Sequence, residues 1–497
     1  MDSEQPSTSG SCACRLEHVD VSTEYESSFK MKLTSLLFSN LVSSLMKRDN
    51  NKICRHYIYY YNDGKRLIKS LSGFEYVFQT KTVHESNKIM RVYFHDDNEM
   101  YFFPVVRTKA CEIMTSVPNS QASVVKIITR YIVAIVTNTS TNRQFNNVRI
   151  ALEEHVTKIG SDLMLSCEIE YSEETYRVYS KTIEIEDIFF KIILNNLQQF
   201  EVNFNNTNFL SLDHITSDVD IDLFNAPSKK FHHLFNLNLS TNVTLFKKWD
   251  GLKGRLVCNN NGIIYYDDLK KMYFSDNINC NIYHKLSLLK NVVLQCEILL
   301  KDTYRENGDT RSDGMKHRRR QNQYNTLILT DVLGVFVPFY QGSSNKFFAC
   351  EPLDAMKILE HISQFIDGEL LVFPEVLFHV DTQKRITSGN CINIQNNKNV
   401  DGLIILFGNR LYKFKPPTFD MRFTKNHFYL ENSKQIFNIH DPKEILTDGI
   451  YEFCWTSENE YEKIRKRYDR NCSSTMTEFL NSKREAEFIF KIAKLNL

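Results

Sequence analysis

The sequence predicts an α+β multidomain protein: an N-terminal β-barrel or sandwich, a mixed α+β domain after it, and a small five-stranded domain that ends in a helix. Three observations predict it. Between residues 21 and 200, seven β-branched or aromatic runs are separated by Asn, Asp, Gly and Ser; from Thr244 to Pro417, strand text alternates with helical text; and five short strands follow Pro416-Pro417. At 497 residues the chain is too long for one core, because domains run to about 100 to 200 residues.

Residues 1–20 are small, polar and without period, which predicts a disordered tail. The strand runs of the first domain, 21–200, are Arg55 to Tyr61, Phe74 to Phe78, Met90 to Phe94, Glu99 to Val106, Ile127 to Val136, Asn147 to Leu152 and Leu163 to Tyr171. Residues 201–243 are Asn-rich and loosely patterned, as in a linker or the entry to a second domain. The second domain, 244–417, contains a helical stretch from Ala355 to Phe365 and a polar insert from Lys301 to Gln323. That insert carries Lys316-His317-Arg318-Arg319-Arg320 and reads as a solvated loop, with a phosphate contact or a nuclear import signal as further readings. In the last domain, 418–497, the runs Phe419 to Phe423, His427 to Leu430, Ile436 to Ile439, Gly449 to Trp455 and Glu462 to Arg467 suit a small OB-like barrel. Thr475 and Glu478 then stand at capping-box spacing, ahead of Phe479, Ala486, Phe490 and Ala493 on one helical face.

Sixty-one basic residues against 60 acidic ones leave a formal charge of +1, so a polyanion must be met by local patches. The 12 cysteines are scattered and match neither zinc spacing nor a compact disulfide framework, which points to a reducing, intracellular compartment. No signal peptide opens the chain, and its longest greasy stretch, Val124 to Val136, is broken by Lys126 and Arg130; neither export nor a membrane span is expected.

The chemistry concentrates around Lys248-Trp249-Asp250-Gly251. A lysine becomes a nucleophile only where burial or neighbouring cations lower its pKa. Lys413 and Lys415 are candidates for those cations, and their alternation puts both on one strand face, where they can also hold an α-phosphate. Asp401, before Gly402, is a candidate anchor for a hard divalent cation, Glu297 an acceptor for a ribose hydroxyl, and Asp331 lies between these two in the chain. Alone, a Lys-x-Asp-Gly string is usually an exposed turn and Lys-x-Lys a solvated face. The order and spacing of the set are harder to reach by accident.

In the first domain, Glu24-Tyr25-Glu26 and Glu168-Ile169-Glu170 each put two carboxylates on one strand face. Four like charges facing into a barrel make sense around Mg²⁺ or Mn²⁺, with Arg66, Arg107 and Lys109 available for a polyphosphate. A third pair, Glu184-Ile185-Glu186, illustrates the ordinary reading of such pairs as a wet strand face.

The runs at 248–255 (Lys-Trp-Asp-Gly-Leu-Lys-Gly-Arg), 294–298, 329–336 and 400–406 resemble the late-expression-factor mRNA capping subunits of baculovirus and nudivirus RNA polymerases, within the covalent nucleotidyltransferase superfamily of capping enzymes and ATP-dependent ligases. The resemblance covers most of residues 244–470. It implies a nucleotidyltransferase domain of antiparallel sheets with helices, an OB-fold after it, and a triphosphate-tunnel-like barrel before it. It further implies a guanylyltransferase in which Lys248 takes GMP from GTP and passes it to the diphosphate end of RNA. Asp250, Gly251, Lys253, Arg255, Glu297, Asp331, Lys413 and Lys415 would bind GTP, joined by Arg465, Arg467, Asp469 and Arg470 from the last domain, and Asp401 would serve the metal. Lys253 stands where the family often has arginine, and Arg470 where many members have lysine. In the barrel the resemblance implies a metal-dependent RNA 5′-triphosphatase, with Glu24, Glu26, Glu168 and Glu170 on the metal and Glu112 joining them from a matching Arg-x-Lys run. Its implied partners are the RNA 5′ end and the other viral polymerase subunits, in the host nucleus. An ATP-dependent RNA or DNA ligase using the same lysine, and a purely structural polymerase subunit, stay open as alternatives.

Overall fold

The computed structural model describes residues 21–29, 35–45, 52–70, 76–95, 99–117, 121–134, 149–157, 163–198, 226–236, 244–267, 272–275, 279–289, 292–299, 325–337, 346–366, 369–371, 376–380, 400–415, 417–433, 436–437, 446–468 and 470–495. The expected N-terminal tail, the basic insert, Asp469 and most of the linker lie outside them. Two compact units emerge, one of Met1–Ile89 with Tyr93–Ser211, the other of Met90–Val92 with Leu212–Leu497.

In the first unit β1 (Val21–Phe29), α1 (Ser35–Leu45), β2 (Lys52–Tyr61), β3 (Lys65–Ser70), β4 (Tyr76–His95), β5 (Glu99–Met114), β6 (Ala122–Ala134), β7 (Arg149–Thr157) and β8 (Leu163–Tyr171) precede α2 (Glu173–Arg177) and α3 (Tyr179–Gln198). The strands pair in the order β4-β3-β2-β6-β7-β8-β1-β5, and β5 pairs back onto β4. An eight-stranded barrel results, closed so that no edge is left unpaired. The expected runs Phe74 to Phe78 and Met90 to Phe94 are parts of one long strand, β4.

Period-two alternation splits each strand between two faces. Tyr25 and Phe29 of β1, Phe103 and Val105 of β5, Ile150 and Leu152 of β7, and Cys167 and Ile169 of β8 form the outer face, which packs against Phe38 and Leu41 of α1 and Ile185, Phe189, Phe190 and Ile193 of α3. On α3 these side chains recur at helical spacing and make one apolar stripe. Glu184-Ile185-Glu186 therefore lies on a helix, not a strand, and Glu186 is fully buried.

The second unit begins its strands with β9 (Phe231–His232), β10 (Thr244–Trp249), β11 (Leu252–Asn259), β12 (Gly262–Asp267) and β13 (Met272–Ser275), followed by α4 (Asn281–Leu286), β14 (Val292–Leu299), β15 (Asn325–Val337), β16 (Lys346–Cys350) and α5 (Pro352–Ile366). It continues with β17 (Glu369–Leu371), β18 (Val376–Val380), β19 (Val400–Phe407) and β20 (Arg410–Phe414). The strands β13-β12-β11-β14-β15-β16 run side by side, with β18 also pairing β15, and a four-stranded sheet has the order β10-β19-β20-β9. The pairings are antiparallel except β15 with β18 and β20 with β9, so the expected antiparallel sheets are in fact mixed. Helix α5 covers the predicted helical stretch.

Finally β21 (Thr418–Thr424), β22 (His427–Tyr429), β23 (Ile436–Phe437), β24 (Gly449–Trp455) and β25 (Tyr461–Arg467) form one sheet in the order β23-β22-β21-β24-β25, ahead of α6 (Met476–Leu495). The capping box is present: Thr475 N–H donates to Glu478 Oε2 at 2.7 Å, and Glu478 N–H to Thr475 Oγ1 at 3.2 Å. Ala486, Phe479 and Phe490 of α6 join the core of the five-stranded sheet. Phe488 and Ile489 pack instead on Leu245, Leu403 and Ile405 of the four-stranded sheet. One helix thus ties the two sheets together.

Candidate functional site

Lys248 sits near the end of β10, inside an irregularity in the ladder to β19: Lys247 is opposite Leu403 and Trp249 opposite Val400. One residue of β10, Lys248, therefore stands opposite two of β19, Asp401 and Gly402, which puts the bulge on β19. On the other side of β19, Ile404 pairs with Lys413 and Leu403 with Phe414. Lys248, Asp401 and Lys413 are thus on three adjacent strands, and Lys415 directly follows the last of them. The backbone of Asp401 is placed here, while its side chain lies outside the described residues. Gly402 has φ +107°, and a Cβ on it would lie 2.5 Å from the Phe414 oxygen and 2.8 Å from Lys415 Cβ. Glycine is required for β19 to approach the lysine strand this closely.

The Asp250-Gly251 turn carries the chain from β10 into β11. A Cβ on Gly251 would lie 2.5 Å from the carbonyl oxygen of Ile298, the residue after Glu297, so the turn lies flush against β14. From there Lys253 pairs with Glu297 and Arg255 with Gln295, which in turn faces Asp331 on β15. These side chains share one sheet face. Farther along the same face, Val257, Val293 and Leu333 form an apolar patch with Ala226.

Residues 226–230, part of the stretch read from sequence as a linker or the entry to a second domain, cross that face. Ser228 Oγ accepts from Lys253 Nζ at 3.1 Å and from Arg255 Nη2 at 3.4 Å, and Lys229 Nζ meets Asp331 Oδ1 at 2.5 Å. Asp331 also accepts from the Val332 N–H at 2.8 Å. The next turn of chain brings Phe231 under Lys413, whose ammonium is 4.4 Å from the ring centroid. Sequence reading missed Ser228 and Lys229, because a lone Ser-Lys-Lys in Asn-rich text has no period.

The terminal arginines are held on carboxylates of the five-stranded sheet. Arg465 Nε donates to Glu452 Oε2 at 2.8 Å, Arg467 lies 3.2 Å from Glu452 Oε1 and 3.9 Å from Asp420, and Arg470 is 3.9 Å from Asp420.

Inside the barrel, Glu24 and Glu26 of β1 alternate with the outward residues, and Glu26 pairs directly with Glu170 and Ser28 with Glu168 of β8. Four carboxylates from two adjacent strands therefore share the inner face, as the paired motifs predict. Lys81 of β4, which sequence reading did not single out, ion-pairs with Glu24 and lies 3.3 Å from Glu26 Oε2, while Thr108 donates to Glu26 Oε1 at 2.7 Å. Burial acts against the Lys81 charge, but Glu26 and Glu24 outweigh it and hold its pKa above the ordinary lysine value. Arg66 ion-pairs with Glu112. Burial raises the Glu112 carboxyl, Glu24 and Glu170 add to the rise, and Arg66 and Lys81 oppose it. Tyr60 is raised by burial and feels Arg66, Glu153, Lys81 and Glu168, so these charges occupy one low-dielectric interior. Oxygen donors gathered about a positive charge suit a hard cation. Among the described residues, no three His, Cys, Asp or Glu side chains form a ready metal cage.

Two predicted phosphate ligands are elsewhere. Arg107 pairs with Ser27 and Lys109 with Tyr25, which puts both on the outer face. Arg107 binds Glu186 of α3 through Nε at 2.9 Å and Nη2 at 2.7 Å, and Ser27 Oγ adds a bond at 2.8 Å. Lys109 lies 3.7 Å from Glu85 and 5.9 Å from the Tyr25 ring. Neither lies on the face that carries Glu24 and Glu26.

The family model described as late expression factor 4 (LEF-4) matches residues 144–474. No curated protein matches the chain. Among solved structures, the Pct1 RNA triphosphatase of S. pombe is 11% identical, covering 37% of this chain and 83% of its own, at TM-score 0.24. The Mimivirus capping enzyme triphosphatase is 14% identical, covering 35% of this chain and 89% of its own, at TM-score 0.23. No helix among the described residues is long and apolar enough to cross a membrane.

Proposed function

The chain belongs to the late expression factor 4 family, and from that premise we propose that it is a bifunctional mRNA capping enzyme of viral late transcription, a guanylyltransferase and RNA 5′-triphosphatase in one chain. The observation that carries the reading is the ladder of β10, β19 and β20, in which Lys248 faces the Asp401-Gly402 step one strand from Lys413.

In the transfer step, deprotonated Lys248 Nζ attacks the α-phosphorus of GTP. A phosphorus–nitrogen bond forms, the bond to the β-phosphate oxygen breaks, pyrophosphate leaves, and the amine proton goes to solvent. A terminal oxygen of diphosphate-ended RNA then attacks the same phosphorus and returns the lysine. Lys413 and Lys415 neutralise the α-phosphate as negative charge develops. Glu297 accepts from the ribose, and Asp250, Gly251, Lys253, Arg255 and Asp331 frame the nucleotide. Arg465, Arg467, Asp469 and Arg470 attend the β and γ phosphates, which requires the arginines to exchange Glu452 and Asp420 for phosphate oxygens. Asp401 would hold Mg²⁺ or Mn²⁺, which supplies neutralisation of phosphate charge.

In the barrel, Glu24, Glu26, Glu168 and Glu170 would hold the same kind of cation, with Arg66, Lys81 and Glu112 beside the triphosphate. Water attacks the γ-phosphorus, and the bond to the β–γ bridging oxygen breaks. The partners are the RNA 5′ end and the other viral polymerase subunits, and the place of action is the host nucleus.

The test is incubation of the chain with [α-³²P]GTP or [α-³²P]ATP and Mg²⁺. The reading expects an acid-labile protein label from GTP only, with label from ATP pointing to a ligase. Glu24→Ala and Glu168→Ala are expected to abolish γ-phosphate release from triphosphate-ended RNA and to leave GMP labelling intact.

A further inference from the structure

We infer that residues 226–230 form a wall of the nucleotide site, with Ser228 a positioning residue for Lys253 and Arg255 and Lys229 one for Asp331. The inference rests on the guanylyltransferase reading and adds two residues that neither the motifs nor the family resemblance name.

Three observations carry it. Ala226 is 1% exposed in the apolar patch of Val257, Val293 and Leu333, so the segment is anchored at one end. Two residues on, the Ser228 hydroxyl receives both Lys253 at 3.1 Å and Arg255 at 3.4 Å. An alkyl-borne hydroxyl brings no charge to balance two cations, yet it fixes both long side chains and so removes rotamer freedom that an anion would otherwise have to overcome on binding. Lys229, with its side chain only 11% exposed, neutralises Asp331 at 2.5 Å. Without that ion pair the carboxylate of Asp331 would stand uncompensated on the face that bears Lys253, Arg255 and Glu297, and would repel a nucleotide phosphate. The segment thus fixes both cations and keeps the Asp331 carboxylate engaged.

The experiment uses the full chain and its Ser228→Ala, Ser228→Thr, Lys229→Met and Lys229→Arg variants. Rates of lysyl-GMP formation are measured against GTP concentration, and inorganic pyrophosphate binding is measured by calorimetry. Ser228→Ala and Lys229→Met are expected to raise the KM for GTP by about three- to tenfold, the size of one typical lost hydrogen bond, with kcat within twofold. Pyrophosphate should weaken in parallel, and Ser228→Thr and Lys229→Arg should restore both. Unchanged KM and pyrophosphate affinity overturn the inference, as does a common fall in kcat and melting temperature that the conservative variants do not rescue. A wild-type chain that takes no label defeats the guanylyltransferase reading, and the pyrophosphate titration then still decides for or against an anion site positioned by Ser228.

Discussion

Arg107→Met separates a phosphate ligand from a clamp that fastens α3 to the barrel wall. The Arg107 guanidinium gives two bonds to Glu186, at 2.9 and 2.7 Å, and Ser27 gives a third at 2.8 Å, with Glu186 fully buried and Arg107 7% exposed. Removing one partner of such a pair strands a buried charge and costs about 3 to 5 kcal/mol. At about 1.4 kcal/mol per tenfold, amide exchange in β1, β5 and α3 should accelerate by roughly two to three and a half orders of magnitude. Hydrogen exchange of the intact chain, read peptide by peptide, measures this directly. The double variant Arg107→Met/Glu186→Leu should recover most of the protection, because apolar groups of similar volume replace a buried ion pair at little cost. Unchanged protection in Arg107→Met, combined with loss of phosphate release, would refute the clamp and return Arg107 to the substrate.

Gly402→Ala forces a Cβ to within 2.5 Å of the Phe414 oxygen at a φ of +107°. An ångström of displacement at a reacting group costs about 10²-fold in rate; GMP labelling should fall by that order while barrel phosphate release holds, and near-normal labelling would show that the close approach is dispensable. Lys81→Met removes the ammonium shared by Glu24 and Glu26, whose partial exposure limits the loss to about 1 to 3 kcal/mol. Because the folded pKa of Lys81 is raised, its contribution is complete below the ordinary lysine value and disappears as pH rises through the folded one. Urea denaturation should therefore show a wild-type advantage that is constant through neutral pH and shrinks only in strong alkali; an advantage that vanished near neutrality would contradict the assignment.

The lysine set was legible because its information is local: Lys-x-Asp-Gly and Lys-x-Lys are short motifs whose residues stay together whatever the register. The bulge opposite Lys248 was not, since it arises from the pairing with β19. Arg107 shows the limit more sharply. The spacing of Arg107 and Lys109 puts them on one face together, but which face is set by the register of β5 against β1, and a slip of one residue exchanges inside for outside. The paired glutamates escaped this ambiguity because β1 and β8 each carry their own apolar partners, Tyr25 and Ile169, on the other side. Glu186, Lys81 and Ser228 acquire their roles only from residues far away in the chain, at Arg107, Glu24 and Lys253.

The central claim, that the amine at 248 is the nucleophile, is tested most directly by mapping the nucleotide adduct. Wild-type chain is labelled with GTP and Mg²⁺, digested under alkaline conditions and sequenced by mass spectrometry. The account predicts GMP on Lys248 and not on the adjoining Lys247, and no adduct on Lys248→Ala. An adduct on another residue, or full labelling of Lys248→Ala, would contradict it.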